Sequence, residues 1–362
     1  GIILFTFLFA TATAITQAIF GKKDSYLITT VDRTKPITSL TVDDEHNLYV
    51  TSPEGSEYCA KIVITRTVAG GPPMTQTLND FYHPDANKKL TGTQILAKTT
   101  ITIDDQNTRA GNAVIFVVKK SQDNAPVYDA SKGSITIQSD DKWVTSAVTF
   151  LNAMPYFTLS RFDIDSVTDI AVFATPYHLA TSSGYDALIN IGVKEYALNS
   201  FVIIIGPIAT VTMANIKKSK FKVTSDITNR FNNTFVPGSQ FSISSPGYFT
   251  KNNEYVYPHF FPNKRLAGHW TSSRDSAVTS NIQVSNGISG FNFKLSSGSG
   301  VSSTNAGVNQ KDQKTTANDF KLDYNITNSN SRFLIQITSG GNTLASSIAA
   351  LILSWLTFVL RQ

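Results

Sequence analysis

Residues 99–104 read TTITID, so isoleucine alternates with threonine or aspartate along this stretch. A period of two places the two isoleucines on one face of a β-strand and the polar residues on the other. Residues 134–138, SITIQ, repeat the pattern. The runs AVIFVV at 113–118 and FVIII at 201–205 are apolar throughout, as in strands that are buried on both faces. Together these stretches predict a protein built from β-sheets.

The rest of the chain extends this pattern in both directions. Between residues 24 and 215, short apolar runs are separated by turn-forming residues, such as the aspartate pair at 104–105 and the GGPP sequence at 70–73. This region lacks the sustained 3.6-residue period of amphipathic helices. We therefore predict an all-β fold with two or three β-sandwich or jelly-roll domains. An N-terminal β-sandwich region of one or two modules spans 24–215, and a second β-sandwich spans 221–338.

Composition excludes several classes of function. The chain has 362 residues, of which 16% are charged, and a net charge of +5. The lysines and arginines are scattered rather than gathered on one element, so we predict no binding to nucleic acid. Because Cys59 is the single cysteine, no intramolecular disulfide can form and apolar packing must hold the domains together. We place Cys59 in a strand over residues 58–64, as a buried thiol.

The first residues have the features of an export signal. Residues 1–10, GIILFTFLFA, are uncharged, and Ala12-Thr13-Ala14 has the A-x-A form of a signal peptidase site. We predict a signal peptide over residues 1–14, although neither an initiator methionine nor a basic segment precedes the apolar run. The alternative is a buried N-terminal strand or helix.

The last residues predict a lipid anchor. Residues 348–360, IAALILSWLTFVL, form a short apolar tail, whereas a spanning helix needs about 20 apolar residues. Small residues, a polar spacer and such a tail are the signal for a glycosylphosphatidylinositol anchor, here residues 339–362. The candidate attachment sites are Ser339, Gly340, Gly341 and Asn342. The alternative is a short C-terminal transmembrane anchor. For an exported chain, the sequons at Asn232 and Asn325 then predict N-glycosylation.

Residues 221–338 carry a resemblance to a known family. Residues 241–249, FSISSPGYF, match the strand and Ser-Pro-x-Tyr loop that open CUB domains, and residues 328–338, NSNSRFLIQIT, look like their closing turn and strand. The region resembles the divergent CUB-like domains of nematode secreted or lipid-anchored proteins. The resemblance implies a β-sandwich. The region has no cysteine, and the acidic triplet of calcium-binding CUB domains cannot be placed in it, so the resemblance implies no metal site.

The sequence lacks the signatures of catalysis and of metal binding. The five histidines (His46, His83, His178, His259 and His269) have no zinc-ligand spacing, and we interpret them as isolated surface or half-buried residues. A G-x-S-x-G nucleophile motif does not occur. We therefore predict no catalytic residue, no cofactor and no metal, and a protein that is not an enzyme.

Aromatic residues form the candidate ligand-binding site. Tyr248, Tyr255, Tyr257 and Phe260 follow the Ser-Pro of the second domain, and aromatic residues in a loop commonly bind sugars or partner proteins. The alternative is that these rings fill the core. The leading hypothesis is an extracellular, lipid-anchored recognition or adhesion protein that binds proteins or glycans. The alternatives are a surface-anchored hydrolase on a β scaffold and a structural component of an extracellular coat.

Overall fold

A computed structural model shows that the described part of the chain is almost entirely β-structure. The described residues are 16–20, 23–30, 37–105, 112–139, 147–154, 157–164, 170–180, 187–191, 200–204, 206–213, 221–226, 232–235, 240–244, 265–272, 277–285, 291–297, 313–316, 319–326 and 332–339. Their helices are single turns, α1 (Ser56–Cys59) and α2 (Tyr177–Ala180), with 3₁₀ turns at Leu78–Phe81 and Lys120–Gln122. None of them has the length and hydrophobicity needed to cross a bilayer. The all-β prediction is confirmed.

The described strands, in chain order, fall into three groups. The first group is β1 (Thr16–Phe20), β2 (Ser25–Thr29), β3 (Ile37–Val42), β4 (His46–Thr51), β5 (Ile62–Val68), β6 (Pro73–Thr77), β7 (Thr93–Ile95), β8 (Thr99–Asp105) and β9 (Val114–Lys119). The second group is β10 (Val127–Asp129), β11 (Ile135–Ser139), β12 (Ala147–Leu151), β13 (Phe157–Ile164), β14 (Ile170–Phe173), β15 (Ile189–Ile191), β16 (Phe201–Ile204), β17 (Ile208–Met213) and β18 (Phe221–Asp226). The third group is β19 (Asn232–Phe235), β20 (Gln240–Ser244), β21 (Arg265–Ser272), β22 (Ala277–Ser285), β23 (Phe291–Ser297), β24 (Gln313–Thr316), β25 (Asp319–Ile326) and β26 (Arg332–Ser339).

These strands form five sheets, which we number by position. Sheet 1 has the order β3-β8-β5-β6, and sheet 2 the order β1-β2-β9-β4-β7. Sheet 3 has the order β10-β12-β17-β14-β15. Sheet 4 has eight strands in the order β11-β18-β13-β16-β20-β26-β22-β24, and sheet 5 has the order β19-β21-β25-β23.

Sheets 1 to 4 are packed face to face as a stack with three apolar layers. Ile64, Ile101 and Ile115 belong to the layer between sheets 1 and 2. Phe116 and Leu151 belong to the layer between sheets 2 and 3. A third layer, which includes the side chains of Phe150, Phe162 and Val202, lies between sheets 3 and 4. Sheets 1 and 2 form the first sandwich, and sheets 3 and 4 form the second. The apolar layer between sheets 2 and 3 joins the two sandwiches, so these two sheets are covered on both faces.

Burial along individual strands follows the sequence pattern. In β8 the residues alternate between buried and half-buried, as TTITID predicts. From Val114 to Val118, β9 is buried at every position because its two faces point into different apolar layers. Every residue of β16 is buried as well. The predictions for these strands are confirmed.

The third group of strands continues sheet 4 and adds sheet 5. Strand β20 pairs in parallel with β16 and antiparallel with β26, so that Phe241 lies opposite both Phe201 and Ile337. The two segments that resemble the opening and closing of a CUB domain are thus neighbouring strands. Strand β18 lies beyond residue 215 but pairs with β11 and β13. The domain limits themselves stay a prediction.

Candidate functional site

A polar cluster joins the first sandwich to the second. Asp129, at the end of β10, is fully buried. Its Oδ1 accepts hydrogen bonds from the Thr51 hydroxyl and, at 2.8 Å, from the Ser131 backbone N–H. Its Oδ2 accepts from the Tyr82 hydroxyl at 3.0 Å. Since Thr51 and Tyr82 belong to the first sandwich, one carboxylate satisfies donors from both sides of the junction.

The cluster continues through Ser131. Its Oγ lies 2.6 Å from Thr51 Oγ1 and accepts a hydrogen bond from the Ala153 N–H at 2.7 Å. Burial, followed by the negative charge of Asp129, raises the pKa of Tyr82. The Tyr82 hydroxyl therefore stays protonated and keeps donating. Three donors bind the Asp129 carboxylate, so this cluster serves a structural role. We call it the joint between the first and second sandwiches.

A second aspartate lies beside a pocket at the same junction. The pocket opens between sheet 2 and sheet 3, and its walls include Phe116, Val118, Asp123, Thr149, Tyr177 and His178. Asp123 Oδ2 accepts hydrogen bonds from Asn47 Nδ2 at 2.5 Å and from the Tyr49 hydroxyl at 2.6 Å. The empty space is about 210 Å³ when the open mouth is counted. Most of that volume is open to solvent, and the enclosed part has room for about one water-sized group.

The electrostatics of this pocket are set by burial. Burial raises the pKa of the Asp123 carboxyl, and the hydrogen bonds from Tyr49 and Asn47 partly oppose that rise. The pKa of Tyr49 is also raised, first by burial and then by the negative charge of Asp123. Burial lowers the pKa of His178 to about 4, against a smaller opposite effect of Asp24. His178 is therefore a neutral imidazole at pH 7, and the pocket holds a carboxyl group without a cationic side chain beside it.

The described residues do not form a metal centre. They contain no group of three or more histidine, cysteine, aspartate or glutamate side chains placed to hold an ion. Asp123 and Asp129 are instead hydrogen-bonded to tyrosine, threonine and asparagine side chains. In chemical terms the junction offers acceptors for hydrogen bonds and one shallow acidic pocket.

Two expectations about individual residues need correction. Cys59 is buried as expected, but it ends the single-turn helix α1 rather than lying in a strand, and β5 begins only at Ile62. The chain turns at Gly55, whose φ of 65° is accessible mainly to glycine. Burial raises the pKa of the Cys59 thiol to about 12. His46 is also fully buried, against the expectation of a surface or half-buried residue, and its Nδ1 lies 2.9 Å from the Asp44 carbonyl oxygen.

The predicted site residues lie mostly outside the described part of the chain. The aromatic residues Tyr248, Tyr255, Tyr257 and Phe260 do so, as do the signal peptide and the attachment candidates Gly340, Gly341 and Asn342. Ser339 is the last residue of β26.

The two predicted glycosylation sites lie on strands of sheet 5. Asn232 begins β19. Asn325 lies in β25, in register with Arg265 on one side and Asn292 on the other. Glycosylation at both residues stays a prediction.

Sequence reasoning missed the two aspartates of the junction. Their partners Thr51, Tyr82, Asn47 and Tyr49 are 47 to 78 residues away along the chain, so no local motif links them. The one local signal is the segment VYDA at 127–130, where an aspartate interrupts an apolar run. A lone charge in such a run predicts a buried, hydrogen-bonded carboxylate but not its partners.

Comparisons with known proteins add little to this geometry. No protein-family profile and no curated protein sequence matches the chain. Among solved structures, the chain is similar to the CUB1-EGF-CUB2 domains of rat MASP-1, with 12% identity, a TM-score of 0.21, and coverage of 59% of this chain and 99% of that one. It is also similar to the CUB1-EGF-CUB2 domain of human MASP-1/3, with 10% identity, a TM-score of 0.22, and coverage of 87% and 99%. Similarity at this level assigns neither a family nor a function.

Proposed function

We propose that the chain is a non-catalytic recognition or adhesion protein that binds proteins or glycans at the cell surface. In this proposal a glycosylphosphatidylinositol anchor attaches it to the outer leaflet of the plasma membrane, and residues 221–338 form the CUB-like recognition module. The proposal rests on which two strands are connected by the aromatic segment, residues 245–264.

This segment connects two different sheets. It follows Ser244, the last residue of β20 in sheet 4, and precedes Arg265, the first residue of β21 in sheet 5. Connecting segments commonly carry binding residues, and in β-sandwiches the binding loops cluster at the ends. The segment contains tyrosine and phenylalanine at a density unusual for a connection, as in EYVYPHFF at 254–261. Exposed aromatic rings are frequent anchors of protein and glycan ligands.

The strand that precedes the segment favours recognition as well. Strand β20 is paired on both sides, with β16 of the second sandwich and with β26. Because β20 is held by neighbours on both sides, the first residue of the segment is held in place. This restraint lowers the conformational entropy that is lost when the segment binds a ligand.

The test is a pair of double variants. In the first, Tyr255→Ala is combined with Tyr257→Ala; in the control, both residues become Phe, which keeps the rings. If the rings contact a ligand, the alanine variant loses adhesion to cells or to a glycan array, at about 2 kcal/mol per ring, and melts like the wild type. If the alanine variant instead loses about 3–5 kcal/mol of stability per ring, the rings are core and the proposed surface is wrong.

The anchor has its own test. Phosphatidylinositol-specific phospholipase C should release the protein from intact cells, together with a known lipid-anchored control protein. Replacement of Ser339, Gly340, Gly341 and Asn342 by bulky residues should prevent surface display. If the protein is retained while the control is released, a short transmembrane anchor is the better account.

A further inference from the structure

One oxygen of the Asp123 carboxyl group accepts hydrogen bonds from the protein, and the other does not. Both of its hydrogen bonds, from Asn47 and from Tyr49, end on Oδ2. Within the described residues, Oδ1 accepts no hydrogen bond and joins no ion pair. The Asp123 side chain is half-buried and lines the pocket, so Oδ1 is the oxygen that is left for the donor of a ligand.

The positive charge that would balance Asp123 is also missing. The two lysines just before it are paired elsewhere: Lys119 lies 2.6 Å from Asp44, and Lys120 lies 3.1 Å from Glu45. The imidazole of His178, on the opposite wall, is neutral at pH 7. In the part of the chain that the structure describes, no arginine, lysine or charged histidine compensates this carboxylate.

The walls around Asp123 suit a small organic cation. The rings of Tyr49 and Phe116 are stacked with centroids 6.2 Å apart, and Phe116 and Tyr177 both line the pocket. Aromatic faces attract cations, and this attraction grows when the cation leaves water. The polar groups of Gln122, Asn124 and Thr149 also line the pocket, so oxygen acceptors surround the carboxylate. A primary ammonium group has three N–H donors and needs such a set of acceptors.

We propose that this pocket between sheets 2 and 3 binds a primary ammonium group, with Asp123 Oδ1 as its counter-ion. The pocket holds the head group, and the alkyl chain of the ligand leaves through the open mouth at Asn124, which is exposed. Divalent metal ions are a poorer fit, because they prefer several carboxylate ligands and Asp123 is the single acidic residue of the lining. The inference goes beyond recognition by the aromatic segment and does not depend on it.

The experiment measures thermal stability of the full chain with n-butylammonium chloride as the probe. A ligand that binds only the folded protein, at about ten times its Kd, raises the Tm of a protein of this size by roughly 2 °C. We expect a saturable rise for the wild type. The uncharged 1-butanol, and sodium chloride at the same ionic strength, should not reproduce it.

Two variants locate the binding. Asp123→Asn should abolish the rise, whereas Asp43→Asn, which removes an exposed carboxylate outside the pocket, should leave it unchanged. Should Asp123→Asn fail to fold, Asn124→Trp fills the exposed mouth and should abolish binding without removing a buried group. No saturable rise in the wild type, or the same rise in Asp123→Asn or in Asn124→Trp, overturns the proposal.

The source of the ammonium group is distinguished by a second probe. N-acetyl-lysinamide presents the same head group on a peptide backbone, as a lysyl side chain of a partner protein would. A rise with both probes assigns the pocket to lysyl side chains as well as free amines. A rise with butylammonium alone assigns it to free amines, because the mouth then excludes a backbone.

Discussion

Replacement of Asp129 by alanine tests whether the two N-terminal sandwiches are one cooperative unit. The substitution leaves three donors without their acceptor: the Thr51 hydroxyl, the Ser131 N–H and the Tyr82 hydroxyl. A hydrogen bond to a charged group contributes about 1.5–3 kcal/mol. Thr51 is fully buried, whereas the ring of Tyr82 is half-buried and can turn toward water. Counting the Thr51 and Ser131 bonds in full, we expect a loss of roughly 4 kcal/mol.

Two further variants separate the parts of this effect. Asp129→Asn keeps an oxygen for Thr51 and Ser131, so we expect about half the loss of the alanine variant. Tyr82→Phe removes a single donor and should cost about 1–2 kcal/mol. Because Tyr82 and Asp129 are in contact, Tyr82→Phe should have little further effect in the Asp129→Ala background, as a double-mutant cycle measures.

The assay is urea unfolding followed by far-UV circular dichroism, together with calorimetry. The apolar layer between sheets 2 and 3 makes us expect one transition for both sandwiches in the wild type. The alanine variant should lower the midpoint of that transition. A loss below about 1 kcal/mol would refute the assignment of Asp129 as the joint. Two separate transitions in the wild type would refute the cooperative unit itself.

Other regions of the molecule give further predictions. Cys59 is buried with a pKa of about 12, so thiol reagents should modify it only after unfolding, at a rate set by global opening. Below pH 6.5 the unfolded chain binds a proton at His178 more readily than the native protein, so stability should fall between pH 6.5 and 4 by up to about 3 kcal/mol. The pKa of Asp123 is raised in the native protein, so above pH 3.8 this residue makes stability rise as the pH falls. The contribution of His178 is therefore measured as the difference in stability between the wild type and His178→Gln. On export through a eukaryotic secretory pathway, the chain should carry glycans that peptide N-glycosidase F removes, and Asn232→Gln or Asn325→Gln should each eliminate one.

Strand positions could be predicted from the sequence because they depend on local pattern. The alternation at 99–104 and the apolar run at 113–118 each report how many faces of a strand are buried, and burial is a property of single residues. Near Cys59 the pattern misled, since an apolar segment of this length fits a short helix and a strand equally well. In the structure the single-turn helix follows Gly55, whose φ is 65°.

The order of the strands and the junction could not be predicted in this way. Strand β16 pairs with β13 on one side and with β20 on the other, and neither register is encoded within the strand itself. Asp123 and Asp129 meet their hydrogen-bond partners only where sheets 2 and 3 pack on each other. Their roles therefore follow from the packing of the sheets and not from the local sequence. Long-range pairing of this kind depends on the whole set of apolar faces, which a single sequence does not specify.

A substitution at Gly92 tests whether the Tyr49 hydrogen bond controls the charge of Asp123, because it displaces Tyr49 and leaves Asp123 itself unchanged. A Cβ at Gly92 would lie 2.7 Å from Cζ and 2.9 Å from the hydroxyl oxygen of Tyr49, which is closer than carbon atoms approach in proteins. Gly92→Ala must therefore push the Tyr49 ring away and break its hydrogen bond to Asp123. Overpacking of this kind costs about 1–3 kcal/mol.

The matched control for this prediction is Gly71→Ala, where the added Cβ would lie 3.4 Å from the nearest atom, the Val68 carbonyl oxygen. That contact is ordinary, so we expect a change within about 0.5 kcal/mol of the wild-type stability. The specific readout is the pKa of Asp123, measured by NMR titration of its carboxyl carbon. The Tyr49 hydrogen bond favours the charged carboxylate, so its loss in Gly92→Ala should raise that pKa further above its ordinary value. An unchanged pKa, with the stability loss present, would show that Tyr49 moves without releasing Asp123 and that the hydrogen bond does not govern the charge of the pocket.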